Sequence, residues 1–202
     1  RDLLKLGPDV LGLLPAPELL PSIQVKQAAR RLRVALEHQL ARESIRASTV
    51  EKTGTLTLAQ IADLFRKETG NEVTVPDKLS KQSCKIDWQQ SSFWAAVSSL
   101  EQQKLATIFN PKSGRFEFAA QKNQPLADWQ RDAFRAQLTS ITTKPVGDQR
   151  LLRCELTLAS EPRLRPLLLR YHSSDWKLTT SNNRTIANFN PTARYEIPLG
   201  QS

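Results

Sequence analysis

The chain holds 202 residues, 39% of them apolar, enough for the core of one large or two small globular domains. No run approaches the roughly eighteen uninterrupted apolar residues that a membrane-spanning helix needs, so no such helix is predicted. The net charge of +9 is unevenly held: residues 22–46 carry six basic groups against two acidic and residues 122–202 twelve against seven, while 47–121 is almost neutral at nine against eight. Basic flanks favour acidic partners, although an Arg-rich solvated surface is the plainer reading of such charge.

In chain order, residues 1–21 are apolar but broken by Gly7, Pro8, Gly12, Pro15, Pro17 and Pro21, which predicts an extended or loosely ordered arm. The first residue is Arg and the chain contains no Met, so the initiator and any signal peptide are expected to have been removed or to lie upstream. Residues 22–46 form an amphipathic helix. Val25, Ala29, Leu32, Leu36 and Leu40 fall on one stripe, with Arg30, Arg31, Arg33 and Glu37 elsewhere around it. Self-packing is its first expected use, because the apolar stripe needs a partner. Lying on a membrane or a nucleic-acid backbone is the alternative.

Residues 47–121 carry a strand–helix–turn–strand pattern twice. Thr57 caps the first helix, with Gln60 three positions on completing a capping box. Leu58, Ile61, Ala62 and Phe65 make its buried face, and Gly70 stops it. A strand from Glu72 to Val75 follows. In the second copy Cys84, Ile86 and Trp88 form an inward row, Ser91 or Ser92 caps the helix, and Phe93, Val97 and Leu100 face the core. Leu105 to Phe109 and Arg115 to Ala119 complete a β-α-β-β-α-β-β order, predicted as a small sheet with two helices on one face. After a polar linker, Gln121 to Pro125, residues 122–202 alternate. Phe134, Ala136 and Leu138 form one predicted inward row, Leu152 to Leu158 with Cys154 a second, and Leu167, Leu169 and Tyr171 a third. Short strands at this spacing predict an antiparallel sandwich of immunoglobulin-like type, incomplete at Ser202. The fold class is therefore α+β: an N-terminal helix, a small βαββαββ module, and an antiparallel β-domain.

The paired unit resembles the secretin and TonB short N-terminal module, STN. The residues that carry the resemblance are Thr55-Leu-Thr-Leu58 opening the first helix, Glu68-Thr-Gly-Asn71 closing it, the strand Val73–Val75, Ile86-Asp-Trp88, and Ser92-Phe-Trp-Ala95 at the start of the second helix. The whole chain also looks like uncharacterised bacterial envelope proteins that join such a module to a β-sandwich. The resemblance implies an adaptor that contacts other proteins in the periplasm, or a secreted one, with no catalytic residues to carry over.

The inventory for catalysis is poor. His38 and His172 are the only histidines, and neither stands beside a nucleophile signature such as G-x-S-x-G. Seven scattered glycines make no phosphate loop, and Cys84 and Cys154 match no metal or redox spacing. No catalytic, cofactor-binding or metal-binding residue is predicted, and no cofactor. Three residues are candidates for binding a partner. Trp94 follows Phe93 at the head of a helix, so both cannot face the core squarely; a half-exposed Trp94 either contacts a partner or covers the sheet edge. Arg163 and Arg165 lie in Glu161-Pro-Arg-Leu-Arg-Pro166, which either meets an acidic polymer or guards a sheet edge against aggregation. The first functional expectation is a non-enzymatic envelope adaptor that binds another protein. The second is a basic module for nucleic acid, acidic polysaccharide or lipid headgroups, and the third a hydrolase using His172.

Overall fold

The computed structural model describes residues 8–110, 113–120, 124–147, 149–164 and 168–198. Arg165 and Leu167 lie outside the described residues, as does the N-terminal stretch through Gly7. The chain divides after Arg46 into two compact units, 1–46 and 47–202.

In the first unit, the Pro-broken segment forms two short 3-10 turns, Pro8–Leu13 and Pro17–Leu19, where an extended or loose arm was the expectation. Proline presets the φ angle that such turns need. They lie along α1 (Ile23–Ser44), tied by Arg33 Nη2 donating to the Leu14 carbonyl at 3.1 Å and by an Arg30–Glu18 ion pair at 3.2 Å. Ser22 starts α1 by accepting from the Val25 N–H. Leu36 is buried, but Val25 and Leu40 of the same stripe stay largely exposed.

The second unit opens with β1 (Thr49–Thr57), α2 (Leu58–Thr69), β2 (Val73–Thr74), the one-turn α3 (Asp77–Ser80), β3 (Ser83–Ser92), α4 (Phe93–Glu101), β4 (Leu105–Asn110) and β5 (Arg115–Ala120). The order matches the twice-repeated pattern, with one correction: the strands make two small sheets. β1 pairs antiparallel with β3, while β2, β5 and β4 form a separate three-stranded sheet in which β2 runs parallel to β5. The helices pack on strands of both sheets. The split follows from the two repeat strands pairing with each other, Thr57 opposite Ser83 and Thr49 opposite Ser92. Each then turns directly into its helix, at opposite ends of one ribbon. Thr57 and Gln60 form the predicted capping box, Ser92 caps α4, and Gly70 takes φ +71°, the left-handed conformation that ends α2.

The core lies between these layers. Leu58, Ile61 and Phe65 from α2 meet Cys84, Ile86 and Trp88 from β3 and Phe93, Val97 and Leu100 from α4, with Leu105 and Phe118 from the second sheet. Phe65 stacks on Trp88 and meets Phe93 edge-on, at centroid distances of 5.4 and 5.0 Å. Trp88 and Cys84 are core residues, as their alternation predicts.

The rest of the unit is antiparallel: β6 (Ala127–Arg131), β7 (Phe134–Val146) and β8 (Gln149–Ser160) form one sheet, β9 (Leu168–His172) pairs with β12 (Arg194–Pro198), and β10 (Leu178–Thr179) pairs with β11 (Thr185–Ile186). The molecule is thus α+β, with a sheet-rich second half. Leu138 is buried as its row predicts, but other members of the predicted inward rows need correction. Phe134 is largely exposed and its neighbour Arg135 is buried, because the opposite face of the sheet is the one that packs against α4. Leu152, Leu156 and Leu158 are each more than a third exposed. Cys154 is half-buried and, like Cys84, a free thiol.

Candidate functional site

Pleating separates the β6–β7–β8 sheet into two faces of opposite character. One presents Asp128, Arg135 and Ala159 toward the first half of the unit. Arg135 is 4% exposed and reaches both Glu101 of α4 and Asp128 of β6, the latter from Nε at 3.0 Å and Nη2 at 2.7 Å. Its guanidinium also lies 5.6 Å from the ring centroid of Trp94. Burial opposes ionisation of Asp128, but the hydrogen bonds and charge of Arg135 outweigh it and hold the carboxyl below its ordinary value. Burial likewise weakens the charged form of Arg135, and Glu101 and Asp128 more than offset that, raising its pKa.

A second polar cluster lies at the end of β8. Glu161 is fully buried and accepts from the Ser48 N–H at 2.9 Å, the Ser48 hydroxyl at 2.7 Å, the Asn71 amide at 3.2 Å and Arg163 Nε. Asn71, itself fully buried, returns its carbonyl oxygen to the Arg163 N–H at 3.0 Å. Every one of these groups has an ionic or hydrogen-bonding partner, as a buried polar cluster requires.

These two clusters absorb two of the three candidate partner contacts. Trp94 is only 2% exposed, so it is corrected from a half-exposed contact to a core residue. Its Nε1–H donates to the Ala133 carbonyl at 3.1 Å, and its ring meets Phe93 and Phe116 edge-on. A helix that is covered on two sides by different sheets can bury two adjacent aromatics, which a single-faced reading does not allow. Arg163 sits in a turn after β8 with its guanidinium on Glu161, and so is corrected from a free basic edge to part of the buried cluster. Arg165 lies outside the described residues.

The other face of the sheet was not singled out as a site from sequence. Ala127 and Trp129 of β6, Phe134, Ala136, Leu138 and Ile141 of β7, and Leu152, Cys154, Leu156 and Leu158 of β8 share it through the cross-strand register. Trp129 is 54% exposed, Phe134 40% and Leu158 43%. Contiguous exposed apolar area of this kind marks an interaction surface more often than a lone exposed side chain does. The signal was present in the alternating rows themselves; what they lacked was any indication of which face would be covered.

The histidines stand apart from any such surface. Asp175 accepts from the backbone N–H of His172 at 2.8 Å, and His38 lines an open groove on α1 with Ala35, Gln39 and Arg42. Burial raises the pKa of the Cys84 thiol, which makes it a poor nucleophile. Among the described residues no group of three or more His, Cys, Asp or Glu is placed to hold a metal ion, and no helix is long and apolar enough to cross a membrane. No protein-family model, curated protein or solved structure matches the chain.

Proposed function

We propose that this chain is a non-enzymatic adaptor of the bacterial cell envelope, an STN-like module followed by an immunoglobulin-like β-domain, which binds another protein in the periplasm or after secretion. The observation that carries the reading is the half-exposed apolar face of the β6–β7–β8 sheet, with Trp129 and Phe134 at its β6 side. Aromatic side chains contribute large contact area at low entropic cost and dominate protein interfaces. Capture from envelope extract tests it. The wild-type chain should retain a protein partner, and the double variant Trp129→Ser/Phe134→Ser should lose it while keeping its circular dichroism spectrum. Capture of nothing, or capture that the double variant leaves unchanged, counts against the reading.

A second reading rests on α1, where Arg31, His38 and Arg42 are all exposed and recur at a spacing that places them along one flank of the helix. An anionic polymer or lipid headgroup suits that flank. Binding to DNA or anionic vesicles that falls steeply with salt would favour it over the adaptor.

A further inference from the structure

We propose that β8 pairs antiparallel with β8 of a second copy of this chain, in the register that sets Cys154 opposite its own symmetry mate. This self-association does not depend on the adaptor reading, and it uses the edge of the sheet farthest from Trp129.

Among the described residues β8 pairs with β7 alone, so the other edge of this twelve-residue strand is open. The groups it offers can be assigned by alternation. The Glu161 N–H donates toward the Ala133 carbonyl at 2.8 Å, on the β7 side. Residues of the same parity, Arg153, Glu155, Thr157 and Ala159, therefore turn their backbone groups to β7. Arg150, Leu152, Cys154, Leu156 and Leu158 present theirs to the open edge. Beyond the span of β6, the outer edge of β7 carries the usual protections: a register shift between Leu138 and Ser140, then Lys144 and Pro145. Through Gln149–Ser160, β8 has neither a proline nor a register shift.

Charge selects the register. Arg153 and Glu155 flank Cys154, with side chains 64% and 52% exposed, and within one chain they pair at 3.2 Å. A two-fold axis at Cys154 places Arg153 of each copy opposite Glu155 of the other. These are non-hydrogen-bonded positions, where cross-strand side chains come closest. The same axis sets Leu152 against the second copy's Leu156, extending the apolar face across the joint. Moving the axis by one residue in either direction brings Arg153 opposite Arg153 or Glu155 opposite Glu155, and both are repulsive. The contact is isologous and closes on itself, as a two-fold dimer requires.

Mixing two charge variants tests the register directly. By sedimentation equilibrium the wild-type chain should be a dimer. Arg153→Glu alone and Glu155→Arg alone should each self-associate about tenfold more weakly or worse, because each faces like charge twice. Mixed together, the two variants should recover dimerisation, since every 153–155 pair is again opposite in sign. The pair within one chain cannot be restored by mixing, so that recovery reads the contact between copies. Oxidation with copper–phenanthroline should link the wild-type dimer through Cys154, whose Cα separation from its mate in a hydrogen-bonded pair is about 5.5 Å, within disulfide range. Cys154→Ser should abolish the link. A wild-type chain that is monomeric throughout, or a dimer that neither the single variants weaken nor the mixture restores, overturns the proposal.

Discussion

Glu161 illustrates how one side chain can hold distant parts of a chain together. Its carboxylate serves Ser48, 113 positions away, and Asn71, 90 positions away. Removing it strands the buried Asn71 amide and the half-buried donors of Ser48 and Arg163, and an unsatisfied buried donor costs about 1–3 kcal/mol. Glu161→Ala should therefore lower stability by roughly 3–5 kcal/mol, the range for breaking a buried charged pair. Glu161→Gln, which keeps an acceptor oxygen, should lose visibly less; urea denaturation of the two variants checks both. None of this was legible beforehand. In sequence, Glu161 stands beside a proline in a basic run, and nothing local says that its partners come from the residue before β1 and the turn that follows α2. Arg135 was hidden the same way. Alternation set it opposite to Phe134, and only the packing of that face on Glu101 makes the arginine the buried member of the pair.

At the scale of the element, what local rules govern was read accurately. The capping box of Thr57 and Gln60, the left-handed Gly70 and the Ser92 cap all stand where the sequence places them, since each is decided within four residues. Thr57→Ala should cost about 1 kcal/mol, the usual value of an N-cap. A shift in the urea midpoint at constant slope is the measurement. The rows of β3 were equally plain, because Cys84, Ile86 and Trp88 alternate on a strand with one wet face. Sheet membership was not plain. Whether β1 joins β3 or β5 is decided by long-range pairings, from Thr57 with Ser83 to Thr49 with Ser92, and alternation is silent about partners. The same silence left the direction of the β7 and β8 rows open, and with it the exposed face that now carries the functional reading.

For the second unit as a whole, the buried charge cluster makes stability depend on acid. Asp128 has its folded pKa held below the ordinary 3.8, so it binds protons less readily in the folded state than in the unfolded one. Its contribution is present in full above that ordinary value and is lost as pH falls through the lower folded pKa. Unfolding free energy measured from pH 6 down to pH 2 should fall in the wild type. In Asp128→Asn it should start lower at pH 6 and fall less steeply; equal slopes would remove Asp128 from the account.

The ties from Glu161 to Ser48 and Asn71 also bear on synthesis. A nascent chain emerges from its N-terminal end, so Ser48 and Asn71 leave the ribosome long before the carboxylate that completes them. Trp94 likewise waits for the carbonyl of Ala133. Caps alone do not hold short helices such as α2 and α4, which draw most of their stability from packing, and the layer they belong to stays unfinished until the strands after residue 133 arrive. Throughout that interval its polar groups must be met by water or by a chaperone, and the time this segment spends in such company is set by the rate of translation.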